Sequence, residues 1–267
     1  MLGASRASRA ALLDRIREQQ GAGGIAVAEG LLVAADACGS SAALATALTD
    51  AGLEPAVRAG IATDLLGPAV NPAALPTLQW AVAQRWSRAG DLVPALEAAA
   101  ATQAFIVAEG EGRITAVEDG IFAFERAVAA NGDLQLALND PALTPAQRVA
   151  IARDLLTPRF DPIATMLICH AVGHTSERLD WVLTELLELA AQSRGRVLAE
   201  VTTALPLTDT ERERLGAALM RIYRRPVQIQ AIIDPSVIGG VRVSVGDELI
   251  DGTLAARREA LARSLTG

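Results

Sequence analysis

Lysine is absent from this 267-residue sequence, whose 24 basic residues are all arginine. A Walker-type phosphate loop needs a lysine, so that kind of nucleotide site is excluded. Aromatic residues make up only 3% of the chain and its net charge is −7, which argues against a nucleic-acid surface of rings on a basic face. Hydrophobic residues reach 51%, which excludes a disordered chain.

Cysteine and long apolar runs are also scarce. The two cysteines, Cys38 and Cys169, lie far apart in apolar segments, which favours a reducing compartment over a disulfide framework. Residues 1–6 contain no apolar signal core. The longest uncharged stretch, 65–84, contains three prolines and is not predicted to cross a membrane as one helix. We therefore expect a cytoplasmic protein.

An internal repeat with an offset of 90 residues runs through the first part of the chain. The same offset places the predicted first helix, 5–20, on 95–110, which also continues the last helix of the first copy. Two copies are too few for a solenoid, so the repeat predicts a tandem helical bundle with one shared helix. The ungapped matches are ALTD at 47–50 with ALND at 137–140, Pro55 with Pro145, Arg58 with Arg148, DLLGP at 64–68 with DLLTP at 154–158, and Asn71-Pro72 with Asp161-Pro162.

Within each copy, apolar residues recur at the three- and four-residue spacing of helices. This spacing covers 44–66 in the first copy and 134–156 in the second. Thr144 before Pro145 is typical of a helix N-cap followed by proline in the first turn.

One further helix is predicted in each copy, over 73–89 and 163–174. Gly90 and Gly173 lie near the ends of these helices, where a left-handed cap is expected.

The pattern changes near residue 195 to that of a small α+β module. Thr208 and Glu211 form a capping box before a helix, and Gly246-Asp247 predicts a hairpin turn. The predicted order is strand 196–205, a helix from 208 with the apolar face Leu215, Ala218, Leu219 and Ile222, strands 226–233, 237–245 and 248–250, and a helix over 252–265.

The expected fold class is α+β, with a tandem, duplicated all-α bundle before a small C-terminal α+β domain. The domain boundaries are 1–100 for the first bundle copy, 101–195 for the second, and 196–267 for the C-terminal module.

The run IIDPSVIGGVRVSVGDELIDGTL at 232–254 closely resembles the signature of the delta subunit of F-type ATP synthases, the family of the oligomycin-sensitivity-conferring protein. The second bundle copy departs from the usual single bundle and resembles the longer actinobacterial form. The signature residues are expected to build the fold rather than perform chemistry; they are Asp234, Pro235, Gly239, Gly240, Gly246, Asp247, Asp251 and Gly252.

The resemblance implies a stator connector with no active site and no cofactor. In the family, the helical domain grips the N-terminal helix of the alpha subunit and the C-terminal module holds the b stalk, which couples proton flow to ATP synthesis. The implied location is the cytoplasmic face of the cell membrane, with the membrane reached only through the complex. No nucleic acid and no direct nucleotide are expected as ligands.

By the same resemblance, the partner groove lies between the first and fifth helices of a bundle. Either copy could hold this groove. The candidate residues are Leu12, Leu13, Ile16, Leu78, Val82 and Trp86 in the first copy, and Phe105, Ile106, Ile168, Ala171 and Val172 in the second.

Two other features of the sequence are candidate functional sites. Cys169, His170 and His174 form a metal-type cluster. No glutamate lies between the two histidines in the zincin position and no third ligand is nearby, so two partly exposed helix histidines are the favoured interpretation. Trp80 and Trp86 cannot share one helix face, so one is expected in the core and one at a groove. The alternative functions are a scaffold of another complex and a metal enzyme centred on the histidines.

Overall fold

The chain folds as an α+β protein with two compact units, Met1–Ser193 and Arg194–Gly267. The first unit is helical, and it covers the predicted bundle ranges 1–100 and 101–195 as far as Ser193. The computed structural model describes residues 1, 3–140, 142–156, 160–174, 178–194, 197–223, 227–235, 237, 239–245 and 248–251.

Eleven α-helices are described in the first unit, with 3-10 turns at Pro72–Ala74 and Ala89–Asp91. The helices are α1 (Ala4–Glu18), α2 (Ile25–Ser40), α3 (Ala42–Thr49), α4 (Pro55–Leu66), α5 (Leu75–Ala83), α6 (Leu92–Gly110), α7 (Ile114–Ala130), α8 (Gly132–Leu138), α9 (Pro145–Leu156), α10 (Pro162–His174) and α11 (Leu179–Ser193).

Helix α6 lies at the centre of this unit and packs against α1, α2, α7 and α11. Most of its side chains are buried, and seven of these are alanines, which let neighbouring helices approach closely. Ala89–Gly110 is also long and apolar enough to span a membrane, but 67% of its most apolar window is buried by the fold, as in a core helix.

Helix bounds and local hydrogen bonds recur at the offset of 90 residues. Helix α4 covers 55–66 and α9 covers 145–156. The Asn71 side chain accepts from the amide of Ala73 at 3.0 Å, and the Asp161 side chain accepts from the amide of Ile163 at 2.8 Å.

The predicted cap at Thr144 is confirmed, because the amide of Gln147 donates to its hydroxyl at 3.3 Å. The helix predicted over 73–89 ends earlier, at Ala83. The Arg58 guanidinium donates a hydrogen bond to the Ala83 carbonyl at this end of the helix. The prediction of left-handed caps at Gly90 and Gly173 is also wrong, because neither glycine has positive φ. Gly173 instead leaves room for a neighbour, because a Cβ there would lie 2.8 Å from Val149 Cγ2.

The second unit contains a four-stranded sheet in the order β2-β1-β3-β4. Strands β1 and β2 are parallel and joined through a helix, whereas β3 pairs antiparallel with both β1 and β4. Side chains of the sheet and helix form one core, with Ala199, Val201, Leu219 and Val243 at its centre. The elements are β1 (Val197–Thr203), α12 (Asp209–Tyr223), β2 (Val227–Ile233), β3 (Val241–Val245) and β4 (Glu248–Asp251).

The third strand begins at Val241, four residues later than predicted, because Gly239 and Gly240 adopt φ values of 65° and 84° that do not continue a strand. The Asp234 amide donates to the Thr203 carbonyl at 2.8 Å, and Pro235 follows in a turn. Asp251 ends β4. The predicted turn at Gly246-Asp247, Gly252 and the helix over 252–265 lie outside the described residues.

Candidate partner-binding surface

The side chains predicted to line the helical groove are mostly buried. In the first copy, Leu12, Leu13, Ile16, Leu78, Val82 and Trp86 each have no more than 6% of their surface exposed. In the second copy, Phe105, Ile168, Ala171 and Val172 have no more than 3% exposed, and Ile106 is half-buried. These residues form the hydrophobic core of the isolated chain, so direct contact with a partner is left to the side chains around them.

The surface between α1 and α5 in the first copy is marked by Arg15 and Trp80. The Arg15 guanidinium carbon lies 5.4 Å from the centre of the Trp80 ring, a cation–π distance. Arg15 Nε is shielded from solvent and has no hydrogen-bond partner. Trp86 is buried and donates its indole N–H to the Ala81 carbonyl at 3.0 Å, whereas Trp80 is half-buried.

The equivalent position of the second copy, on α6 and α10, is occupied by Phe105 and His170. Phe105 is fully buried. His170 Nε2 lies 3.1 Å from Glu97 of α6, and its Nδ1 lies 3.4 Å from Asp36 of α2. Helix α2 therefore packs along α6 and reaches α10 at the point where the first copy presents Trp80.

Two side-chain contacts link α1 to α11. Arg9 forms an ion pair with Glu185. About two turns further along α1, Arg17 Nη2 donates to Gln192 at 3.3 Å. Both contacts link the first helix of the unit to its last helix and leave the other side of α1 exposed.

The metal-type cluster of the sequence takes different partners in the fold. Cys169 is buried, and desolvation raises the pKa of its thiol against a smaller opposing effect of Arg153. Burial likewise raises the pKa of Cys38 to about 11. Within the described ranges, no three His, Cys, Asp or Glu side chains are placed to hold a metal ion. The His174 side chain lies outside the described residues.

Several large apolar side chains are exposed on the helices. Trp181 opens α11 with 58% of its surface exposed. Ile222 was placed on the apolar face of α12 but is 59% exposed, and Tyr223 packs against the sheet core instead. Met220 is half exposed on the same helix. Periodicity finds the apolar residues, but it does not show which ones a neighbouring element covers.

Comparisons with known proteins identify the family. The profile described as ATP synthase delta (OSCP) subunit matches residues 99–265. The ATP synthase subunit delta of Parafrankia sp. (strain EAN1pec) is 39% identical over 90% of this chain and 86% of its own length. That of Streptomyces coelicolor is 36% identical over 99% of this chain and 98% of its own length. That of Beutenbergia cavernae is 35% identical over the full length of both.

Among solved structures, a chain of the cryo-EM structure of the Toxoplasma gondii mitochondrial ATP synthase hexamer matches with a TM-score of 0.40 and 17% identity. The match covers 64% of this chain and 98% of that one, a similarity too distant to carry an argument. The profile and the near full-length relatives suffice: the chain belongs to the ATP synthase delta (OSCP) family, the non-catalytic peripheral-stalk subunits of the F-type ATP synthase.

Proposed function

We propose that this chain joins the N-terminal helix of the alpha subunit to the b-type stalk subunits. The helical unit takes the alpha helix and the α+β unit takes the stalk. The observation that carries the proposal is the division of a delta-family chain into two compact units of different fold. Such a chain would lie on the cytoplasmic face of the membrane and reach the membrane only through the complex.

A connector of this kind must resist the torque of the rotor. Each attachment would bury about 1,200–2,000 Å² of surface, the usual size of a specific interface. A Kd near 1 nM corresponds to about −12 kcal/mol, and two simultaneous attachments raise the effective affinity further. The shared helix α6 supports a stiff first unit, since its side chains pack against helices of both predicted bundles.

We also propose that the first unit consists of two copies of one bundle. The recurring side-chain caps at Asn71 and Asp161 support this. Helices α4 and α9 also begin and end at positions related by the offset of 90 residues. A Cβ added at Gly30 would meet Ala74 at 2.6 Å, and 90 residues later one at Gly120 would meet Ala164 at 3.2 Å. The family profile begins at residue 99, which favours the second copy as the usual domain and the first as an extension.

In this proposal, the groove residues predicted from the sequence form the buried core that supports the binding surface. Leu13 and Phe105 are buried. Polar substitutions there would destabilise the bundle, so a loss of binding would not show that either residue contacts a partner. In the second unit, the two positive-φ glycines 239 and 240 give the connection before β3 its shape, which is a structural role.

The direct test is a ternary complex. The full chain would be mixed with the purified catalytic head and the soluble part of the b stalk, and the products separated by mass. The proposal predicts one species that contains all three, and binary complexes when either partner is omitted. A chain that binds the head and the stalk only in competition would contradict the two-ended arrangement.

A further inference from the structure

The chain contains three asparagines, and each is followed by a different kind of residue. Asn71 precedes a proline, Asn131 a glycine and Asn139 an aspartate, and all three asparagines are exposed. An asparagine deamidates when the backbone nitrogen of the next residue attacks its side-chain carbonyl carbon. Proline has no backbone N–H to react, and glycine has no side chain to hinder the approach. The sequence therefore makes Asn131 the most reactive of the three.

Asn131 is the N-cap of α8, and this helix places its side chain. Its Oδ1 accepts hydrogen bonds from the amides of Asp133 and Leu134, at 3.1 Å each. Negative charge develops on this oxygen when the side-chain carbon is attacked, and the two donors already contact it. Neither bond uses the Gly132 nitrogen, which lies in the first turn, where an α-helix provides no acceptor. A Cβ at Gly132 would meet nothing within 4 Å, so the reacting groups are open to solvent.

The other two asparagines lack this combination. Asn71 also caps a turn, since its Oδ1 accepts from the Ala73 amide at 3.0 Å, but the attacking nitrogen there would be that of a proline. Asn139 follows the last turn of α8, and the next backbone nitrogen, that of Asp140, donates to the Ala137 carbonyl at 3.4 Å. Its nucleophile is thus occupied by a hydrogen bond and carries a side chain.

We propose that Asn131 is a site of spontaneous deamidation. The Gly132 nitrogen gives up its proton to base and attacks Asn131 Cγ. The bond from Cγ to Nδ2 breaks, Nδ2 leaves as ammonia with the proton returned to it, and a succinimide ring forms. Water then opens the ring at the side-chain carbonyl to give aspartate, or at the main-chain carbonyl to give isoaspartate. The overall reaction consumes one water, releases one ammonia and involves no oxidation.

The two products affect α8 differently. Aspartate keeps the cap, because its carboxylate accepts from the same amides and its charge is favourable at the start of a helix. Isoaspartate adds a carbon to the main chain and removes the side chain from the capping position. Within Gly132–Leu138 the only buried residue is Leu138, so little else holds the first turn. Isoaspartate therefore opens the start of α8.

The first copy supplies matched control variants. At the offset of 90 residues, Ser41 and Ala42 stand at the equivalents of Asn131 and Gly132, and Ser41 Oγ accepts from the Leu44 amide at 3.2 Å. Asn131→Ser therefore keeps a cap and removes the reactive amide. Gly132→Ala keeps the asparagine and adds a Cβ where there is open space. Circular dichroism of both variants should match that of the unmodified chain.

The test is peptide mapping by mass spectrometry after the full chain has been kept in mildly alkaline buffer, with aspartate and isoaspartate peptides separated by chromatography. We expect Asn131 to be converted at least about tenfold faster than Asn139, a difference of about 1.4 kcal/mol in activation free energy. Gly132→Ala should slow conversion at Asn131 by a similar factor. Isoelectric focusing should show a form with one negative charge added to the net charge of −7, and Asn131→Ser should abolish it.

Equal rates at Asn131 and Asn139 would overturn the proposal. An unchanged rate in Gly132→Ala would do the same, because it would show that the Gly132 nitrogen is not the nucleophile. An acidic form that persists at full intensity in Asn131→Ser would place the modification elsewhere.

Discussion

Replacement of the buried Arg58 by methionine should destabilise the first bundle far more than the same change at its equivalent, Arg148. The Arg58 side chain extends from α4 to the end of α5 and is only 5% exposed. Its Nη1 donates to the carbonyls of Val82 and Gln84 at 2.7 Å each, and its Nη2 donates to that of Ala83 at 3.1 Å. One cation thereby caps three carbonyls at the negative end of a helix.

The magnitude follows from these three bonds. A hydrogen bond to a charged group contributes roughly 1.5–3 kcal/mol when buried and less when water can replace it. Only the bond to Val82 is fully buried, and the methionine recovers part of the cost of desolvating the guanidinium. We therefore expect Arg58→Met to lower the free energy of unfolding by about 3 kcal/mol.

Arg148 provides the matched control because it makes the same contact in a weaker form. It is half-buried and donates to the Gly173 carbonyl through one bond of 3.3 Å. Arg148→Met should cost about 1 kcal/mol. Urea unfolding of both variants, followed by tryptophan fluorescence and by circular dichroism, measures the difference. Equal losses in the two variants, or a loss below about 1 kcal/mol for Arg58→Met, would show that the three carbonyl contacts of Arg58 do not stabilise the first bundle.

Other substitutions test separate parts of the fold. Gly30→Ala should destabilise the chain by about 1–3 kcal/mol, because its Cβ would lie 2.6 Å from a facing alanine. Gly60 has open space around it, so Gly60→Ala should stabilise α4 by up to about 1 kcal/mol in the same urea assay. Hydrogen bonds from Thr208 lower the pKa of Glu211. The Glu211 carboxylate therefore stabilises the fold above its ordinary pKa, and this effect is lost as the pH falls. Thr208→Ala should raise the pKa of Glu211 in an NMR titration, and an unchanged value would contradict the capping box.

Local chemistry made much of this fold predictable. The hydroxyl of Thr144 and the capping box at Thr208 mark helix starts that the structure confirms. Alternation of apolar residues predicted the strands before and after α12, within a few residues at each end. These signals depend on neighbours within four residues, which a sequence displays directly.

Long-range contacts were not predictable in the same way. The early end of α5 depends on Arg58, about 25 residues away along the chain. Helices α2 and α7 have no counterpart among the predicted elements. Core and groove residues such as Leu13 have the same apolar spacing, so sequence alone could not show that Leu13 is buried.

The central claim is that this chain couples two other parts of a rotary enzyme and has no chemistry of its own. The most direct measurement is ATP-driven proton pumping by membranes stripped of this subunit, before and after the full chain is added back. The account predicts that the membranes without it do not pump although the detached head still hydrolyses ATP, and that added chain restores pumping. Pumping at the full rate without the chain would contradict it.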